Sequence, residues 1–445
     1  MLEFTNAAFR FPIAITSFGA QRLLGVLPMS GSGPVRSLQE NFYKAGEAAK
    51  QQFETDTALF GAFQFGDKAQ SALASLASDM FSLKVLNPTY LKDMAMGIVH
   101  SSSDAVGSVA SDESRRLLKQ QFSNTFDVIG FVNHVDAPRH LSADGTYPLE
   151  EMVEKSYSHG DYPALWYVEG LGERYAEAYM AGGEEVRDLL TSGKAAEAPQ
   201  KIQTMMHAGA GIAFAKNALA NLTPWSTDAE FVDALGLFLR LVRNNSIPGY
   251  EGAALESLGL VTRTWNGQLV AKISSHVRSI DTDAFEFFWH GAGRAMYFSP
   301  MYMIPGLSPW DAADKEPPDE IAQRNARAGV AWAFTIVNVR QPEIAAHFLH
   351  SKGDRISGND AYTDGVLSTL TMAGDMVPNH QYVSAFGRYQ PNPADAAKVE
   401  AWNKYIGPEL GVRVDKYREI LKAYKKIGEV FRYHDLPQFV ADLKA

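Results

Sequence analysis

Glycine recurs in this chain at nearly even intervals, inside stretches whose apolar residues have helical spacing, and few sequence features restrict a fold as much. The blocks share one pattern: an aromatic or apolar run, a variable residue, Gly, one residue, then Gly or Ala. They are Trp166-Tyr-Val-Glu-Gly-Leu-Gly172, Met205-Met-His-Ala-Gly-Ala-Gly211, Gly249-Tyr-Glu-Gly-Ala-Ala254, Phe287-Phe-Trp-His-Gly-Ala-Gly293, Arg327-Ala-Gly-Val-Ala331 and Tyr362-Thr-Asp-Gly-Val366. Their first glycines, Gly170, Gly209, Gly252, Gly291, Gly329 and Gly365, stand 39, 43, 39, 38 and 36 residues apart. About forty residues is the length of two short helices and two turns, the unit of a helical-hairpin repeat.

Strand signals are scarce, so the expected fold is all-α. It comprises an N-terminal helical region over 1–116, a body of about six helical-hairpin repeats over 117–380, and a C-terminal helical segment over 381–445. The body is either an open superhelix or a closed α/α arrangement. A glycine within a helix costs ~1 kcal/mol relative to alanine. Recurrent glycines therefore point to close helix contacts or to room for a ligand. Overpacking predicts that leucine at Gly291 is damaging and alanine far milder.

At these blocks the chain resembles a domain-of-unknown-function family found beside enediyne polyketide genes. The resemblance rests on His207-Ala-Gly-Ala-Gly-Ile-Ala213, Glu169-Gly170, Glu251-Gly252 and Gly291-Ala-Gly-Arg-Ala-Met-Tyr-Phe298, and spans residues ~160 to ~375. Tyr250 departs from it, standing where the family's pattern leads one to expect a histidine. The resemblance implies a link to specialised metabolism and to an apolar polyene or its processing. It brings no chemistry to particular residues.

Composition narrows the partners. With 51 acidic and 41 basic side chains the net charge is -10, which repels phosphate backbones, so nucleic acid is not an expected partner. The chain has no cysteine, which leaves any metal to His, Asp, Glu or backbone oxygen. Phe11–Ala20 is apolar, but Arg10, Pro12, Gln21 and Arg22 break any membrane-spanning window there. Peripheral membrane contact by residues 7–28 stays open beside plain packing, and without an export signal the expected location is cytoplasmic. Phosphate-binding loops, dinucleotide fingerprints, serine elbows and His-Glu-x-x-His helices are absent.

The residue before each repeat glycine, or the one before that, is often ionisable: Glu169, His207, Glu251, His290 and Asp364. Superposed repeats would bring these five to one side. In a closed arrangement they suit a mixed oxygen–nitrogen shell for iron, manganese or zinc. Otherwise each makes a local polar contact. Trp166, Tyr250, Trp289, Tyr297 and Trp332 lie beside them as candidates to line a pocket, or as plain core. Three functions follow as expectations: an enzyme of specialised or lipid-like metabolism with a polar or metal-binding pocket inside the repeat body; a non-catalytic binding protein for an apolar small molecule; or a repeat scaffold for a protein partner.

Overall fold

The computed structural model describes residues 112–445 apart from 134, 184, 299–307, 357–359, 379–380 and 408–409. The apolar stretch near the N-terminus and most of the expected N-terminal region lie outside the described residues. The chain divides into two units: residues up to Asn133 with Ser299–Pro309, and His134–Phe298 with Trp310–Ala445. In the first, helix α1 (Asp112–Asn133) buries Leu117 and Val128.

Among the described residues every regular element is a helix. After α1 come α2 (Leu149–Ser158), α3 (Asp161–Met180), α4 (Gly193–Glu197), α5 (Gln200–Leu219), α6 (Asp228–Asn245) and α7 (Glu251–Trp265). Then follow α8 (Val270–Ile280), α9 (Thr282–Phe298), α10 (Ser308–Lys315), α11 (Glu320–Asn338), α12 (Pro342–Ile356) and α13 (Ala361–Met376). The chain finishes with α14 (Gln381–Arg388), α15 (Ala396–Tyr405), α16 (Leu410–Ala423), a 3-10 turn at Ile427–Phe431 and α17 (Leu436–Asp442). No described helix is long and apolar enough to cross a membrane.

Local chemistry sets several helix starts. Thr227 and Glu230 form a reciprocal capping box at α6. Asp319 accepts from the Ala322 amide at the start of α11. The two classes of helix also differ in composition. In α6, polar residues alternate with the buried Phe231, Leu235, Phe238 and Leu239, the pattern of a helix with one wet face. In α5, every residue from Ile202 to Ala215 is buried, and in α13 nearly every residue is, so both are surrounded by protein.

The surrounded helices are neighbours in space. α3 packs on α5, α5 on α7, α7 on α9, α9 on α11 and α11 on α13, while α13 also returns to α5. Contacts away from the crossings give their sense. Tyr297, late in α9, meets Phe334 and Asn338, late in α11. Lys216, late in α5, lies over Trp265 at the end of α7. These neighbours therefore run parallel, which the intervening helices α6 and α10 make possible. The 3-10 turn closes against α7, α9 and α13.

Candidate functional site

The crossings follow one rule. A Cβ at Gly209 would run into the backbone oxygen of Glu169, at Gly291 into that of Glu256, at Gly329 into that of His290, and at Gly365 into that of Ala328. At the remaining crossing Ser257 takes the glycine's place, its hydroxyl donating to the Ala208 oxygen at 2.8 Å. In each case the small residue rests on the carbonyl just before the small residue of the preceding helix. The second glycine of a block faces the other way: Gly172, Gly211, Gly259 and Gly293 press on Met206, Ala254, Phe288 and Ala326 of the following helix.

This contact rule reassigns one position. The third block aligns at Glu256-Ser-Leu-Gly259, not at Tyr250-Glu-Gly252, so the acid in register is Glu256 rather than Glu251. Gly252 serves a different contact, against the backbone of Gly428 in the C-terminal turn. Glu251 begins α7, where it accepts from the Gly249 amide at 2.6 Å.

Close approach at these crossings sets Glu169, Glu256 and His290 around one cation. Arg294 donates from Nη1 to Glu256 at 2.6 Å and from Nη2 to Glu169 at 3.0 Å. His290 Nδ1 lies 2.7 Å from the other Glu256 oxygen. His290 and Arg294 are four apart on α9, hence on one face. The Arg294 guanidinium also stacks over Trp332 of α11, 4.4 Å from the ring centroid. All four ionisable side chains are between 0 and 3% exposed.

Burial at this depth shapes the charges. It raises the pKa of Glu169, with Arg294 pulling back, and it lowers that of His290 against the hydrogen bond the ring makes to Glu256. Burial also opposes the charge on Arg294, but Glu256 and Glu169 outweigh it and hold the guanidinium protonated. The cluster is thus a guanidinium bridging two carboxyls beside a neutral imidazole. Three polar atoms within it have no protein partner: His290 Nε2, Arg294 Nε and Trp332 Nε1.

The other candidates lie elsewhere. His207 uses both nitrogens on backbone, Nδ1 with the Gln203 oxygen at 2.6 Å and Nε2 with the Ile247 amide at 2.9 Å. Burial lowers its pKa to about 4. It ties α5 to the segment leading into α7. Asp364 lies in the first turn of α13 and accepts from the His434 amide at 3.4 Å, and burial raises its pKa well above the ordinary range. The five expected side chains therefore do not converge. Glu169 and His290 are brought together through Arg294 and Glu256, whereas His207, Glu251 and Asp364 serve separate contacts. Among the described residues no three His, Asp or Glu side chains group as a metal ion would need.

All five candidate aromatics are buried. Trp332 belongs to the cluster, and Trp166 sits one turn before Glu169 and meets Phe298 of α9 edge-on. Tyr250 stacks on His207, Trp289 donates to Ser274 of α8, and Tyr297 packs on Phe334. Glu256 and Arg294 were missed as site residues in the sequence. Arg294 lies inside a quoted block, and Glu256 precedes a small-x-Gly triplet that allowing serine for glycine would have found. No family model, curated protein or solved structure matches the chain.

Proposed function

We propose that the chain takes a small, largely apolar molecule with one carbonyl or similar oxygen into its helical core and holds it at the Arg294 cluster. The observation that carries this reading is the pair of buried donors left over there, Arg294 Nε and Trp332 Nε1, on groups stacked 4.4 Å apart. A buried donor without a partner costs about 1–3 kcal/mol, so an acceptor supplied by a ligand gains that much over one met in water. Trp166, Trp332, Phe298 and Phe431 supply the apolar surroundings. An enzyme of specialised or lipid-like metabolism and a simple carrier share this binding step. They differ in what is done to the molecule once bound.

The same proposal includes the architecture. We read α3, α5, α7, α9, α11 and α13 as equivalent members of six hairpin units, with α6, α8 and α12 among their partners. The shared crossing rule supports equivalence, and the Thr204–Asp375 hydrogen bond at 3.1 Å, which joins α5 to α13, favours a closed over an open arrangement.

The test uses 2-tetralone, an apolar bicycle with one ketone, and saturation-transfer NMR on the full chain. Saturable binding is expected, weakened about tenfold in Trp332→Phe, which keeps an aromatic ring and drops the N–H. No saturable binding to the unaltered chain, or equal binding by Trp332→Phe, overturns the reading.

A further inference from the structure

Two buried histidines lie near the helix crossings, and they differ in one respect. His207 has both nitrogens engaged by backbone, whereas His290 has Nδ1 on a carboxylate and Nε2 with no partner. A carboxylate oxygen accepts, so the proton of the neutral ring sits on Nδ1 and the lone pair on Nε2. Arg294 grips the second oxygen of Glu256 and fixes the carboxylate that fixes the ring. The other buried acids offer nothing comparable: Asp375 meets Thr204 and Lys422, Glu173 meets Lys216, and Asp364 accepts from the His434 amide.

We infer that His290 is a general base that removes a proton from the carbon next to a carbonyl of the bound molecule, with Glu256 as its positioning residue. The inference rests on the binding reading above and adds a reaction to it. The C–H bond breaks and its proton forms the Nε2–H bond. The electron pair stays on the substrate as an enolate, whose oxygen takes the Arg294 Nε–H and Trp332 Nε1–H. The imidazolium so formed keeps its Nδ1–H on Glu256, whose charge stabilises it. Return of the proton to the same carbon gives exchange, and return to a conjugated carbon gives isomerisation. No oxidant, reductant or second substrate is required.

Burial favours this division of labour. The imidazole is neutral and so able to accept at neutral pH, because desolvation lowers its pKa more than Glu256 restores it. In a dry interior the fixed donors also act on the developing charge more strongly than water would.

The experiment follows deuterium uptake next to the ketone of saturating 2-tetralone in D2O, by mass spectrometry, with binding measured on the same samples. The unaltered chain is expected to speed exchange above buffer. His290→Gln should lower the saturated rate at least a hundredfold, in the range found for general bases. Glu256→Gln should lower it too, while the 15N signals of His290 move toward the other tautomer, a change that loss of packing alone would not produce. Binding without exchange overturns this inference and leaves the binding reading in place, whereas no binding overturns both. A 15N spectrum of the unaltered chain with Nε2 protonated at neutral pH overturns it independently of any variant.

Discussion

Phe431 of the C-terminal turn packs on Trp332 of α11 with ring centroids 5.8 Å apart and planes tilted by 38°, on an indole that also carries the Arg294 guanidinium. The last part of the chain thus reaches the buried cluster through one ring. Phe431→Ala is expected to cost about 3–5 kcal/mol, as for large-to-small changes in a tight core. Urea unfolding followed by tryptophan fluorescence checks this, and a loss under 1 kcal/mol would mean the turn is loosely seated.

Glycine-to-alanine changes separate crossing glycines from ordinary ones. Gly291→Ala puts a Cβ onto the Glu256 backbone oxygen, which cannot swing aside as a side chain could, so even alanine should destabilise by about 1–3 kcal/mol. Leucine carries the same Cβ and would meet that oxygen too, with three further carbons to place. Gly236, in α6, faces the flexible end of Arg240 at 3.5 Å, and Gly236→Ala should be neutral or stabilising by up to ~1 kcal/mol. Thermal denaturation of both variants gives the contrast.

Removing Arg294 leaves two buried carboxyls facing each other without a cation. Arg294→Met should cost about 3–5 kcal/mol, and adding Glu169→Gln should recover part of it. Additive losses in the double variant would show that Glu169 and Arg294 are not coupled.

Acid should destabilise the fold partly through histidine. The folded pKa of His207 is about 4 against an ordinary value of 6.5, so its unfolded form binds the proton more readily. Its contribution is fully present above pH 6.5 and is lost as pH falls through about 4, roughly 3 kcal/mol in full. Urea midpoints of His207→Asn should vary less over that window than those of the unaltered chain.

Asp364 carries the opposite sign. Its folded pKa lies well above 3.8, so the stability linked to its neutral form is fully present below pH 3.8 and is lost as pH rises through the folded value. Asp364→Asn, neutral at every pH, should gain stability over the unaltered chain as pH rises from 4 to 8. A constant difference across that range would mean that Asp364 titrates normally.

The helical class and the close contacts at Gly209, Gly291, Gly329 and Gly365 were legible in the sequence, because a helix interior tolerates repeated glycine only when something approaches it. The crossing of α5 and α7 was not, since Ser257 achieves the same approach with a hydroxyl that bonds the carbonyl it touches. Arg294 was unreadable for another reason. An arginine in a helix ordinarily marks a wet face, and its burial depends on carboxylates 38 and 125 residues away in the chain. Pairing over such separations is a property of the assembled helices rather than of any local stretch.

The seating of the 3-10 turn also has a bearing on synthesis. Gly428 donates to the Gly249 oxygen at 2.7 Å, Tyr433 donates to Asn325 at 2.7 Å and His434 to Asp364, so residues near the end of the chain are fastened to the starts of α7, α11 and α13. These residues leave the ribosome after every helix they fasten. Domains begin to fold while the chain is still being made, yet here the helices that hold Arg294 and Trp332 wait for their cover until residues 427–434 have been made. A nascent chain paused before Ile427 would present Trp332 without Phe431, a bare aromatic face of the kind that chaperones bind.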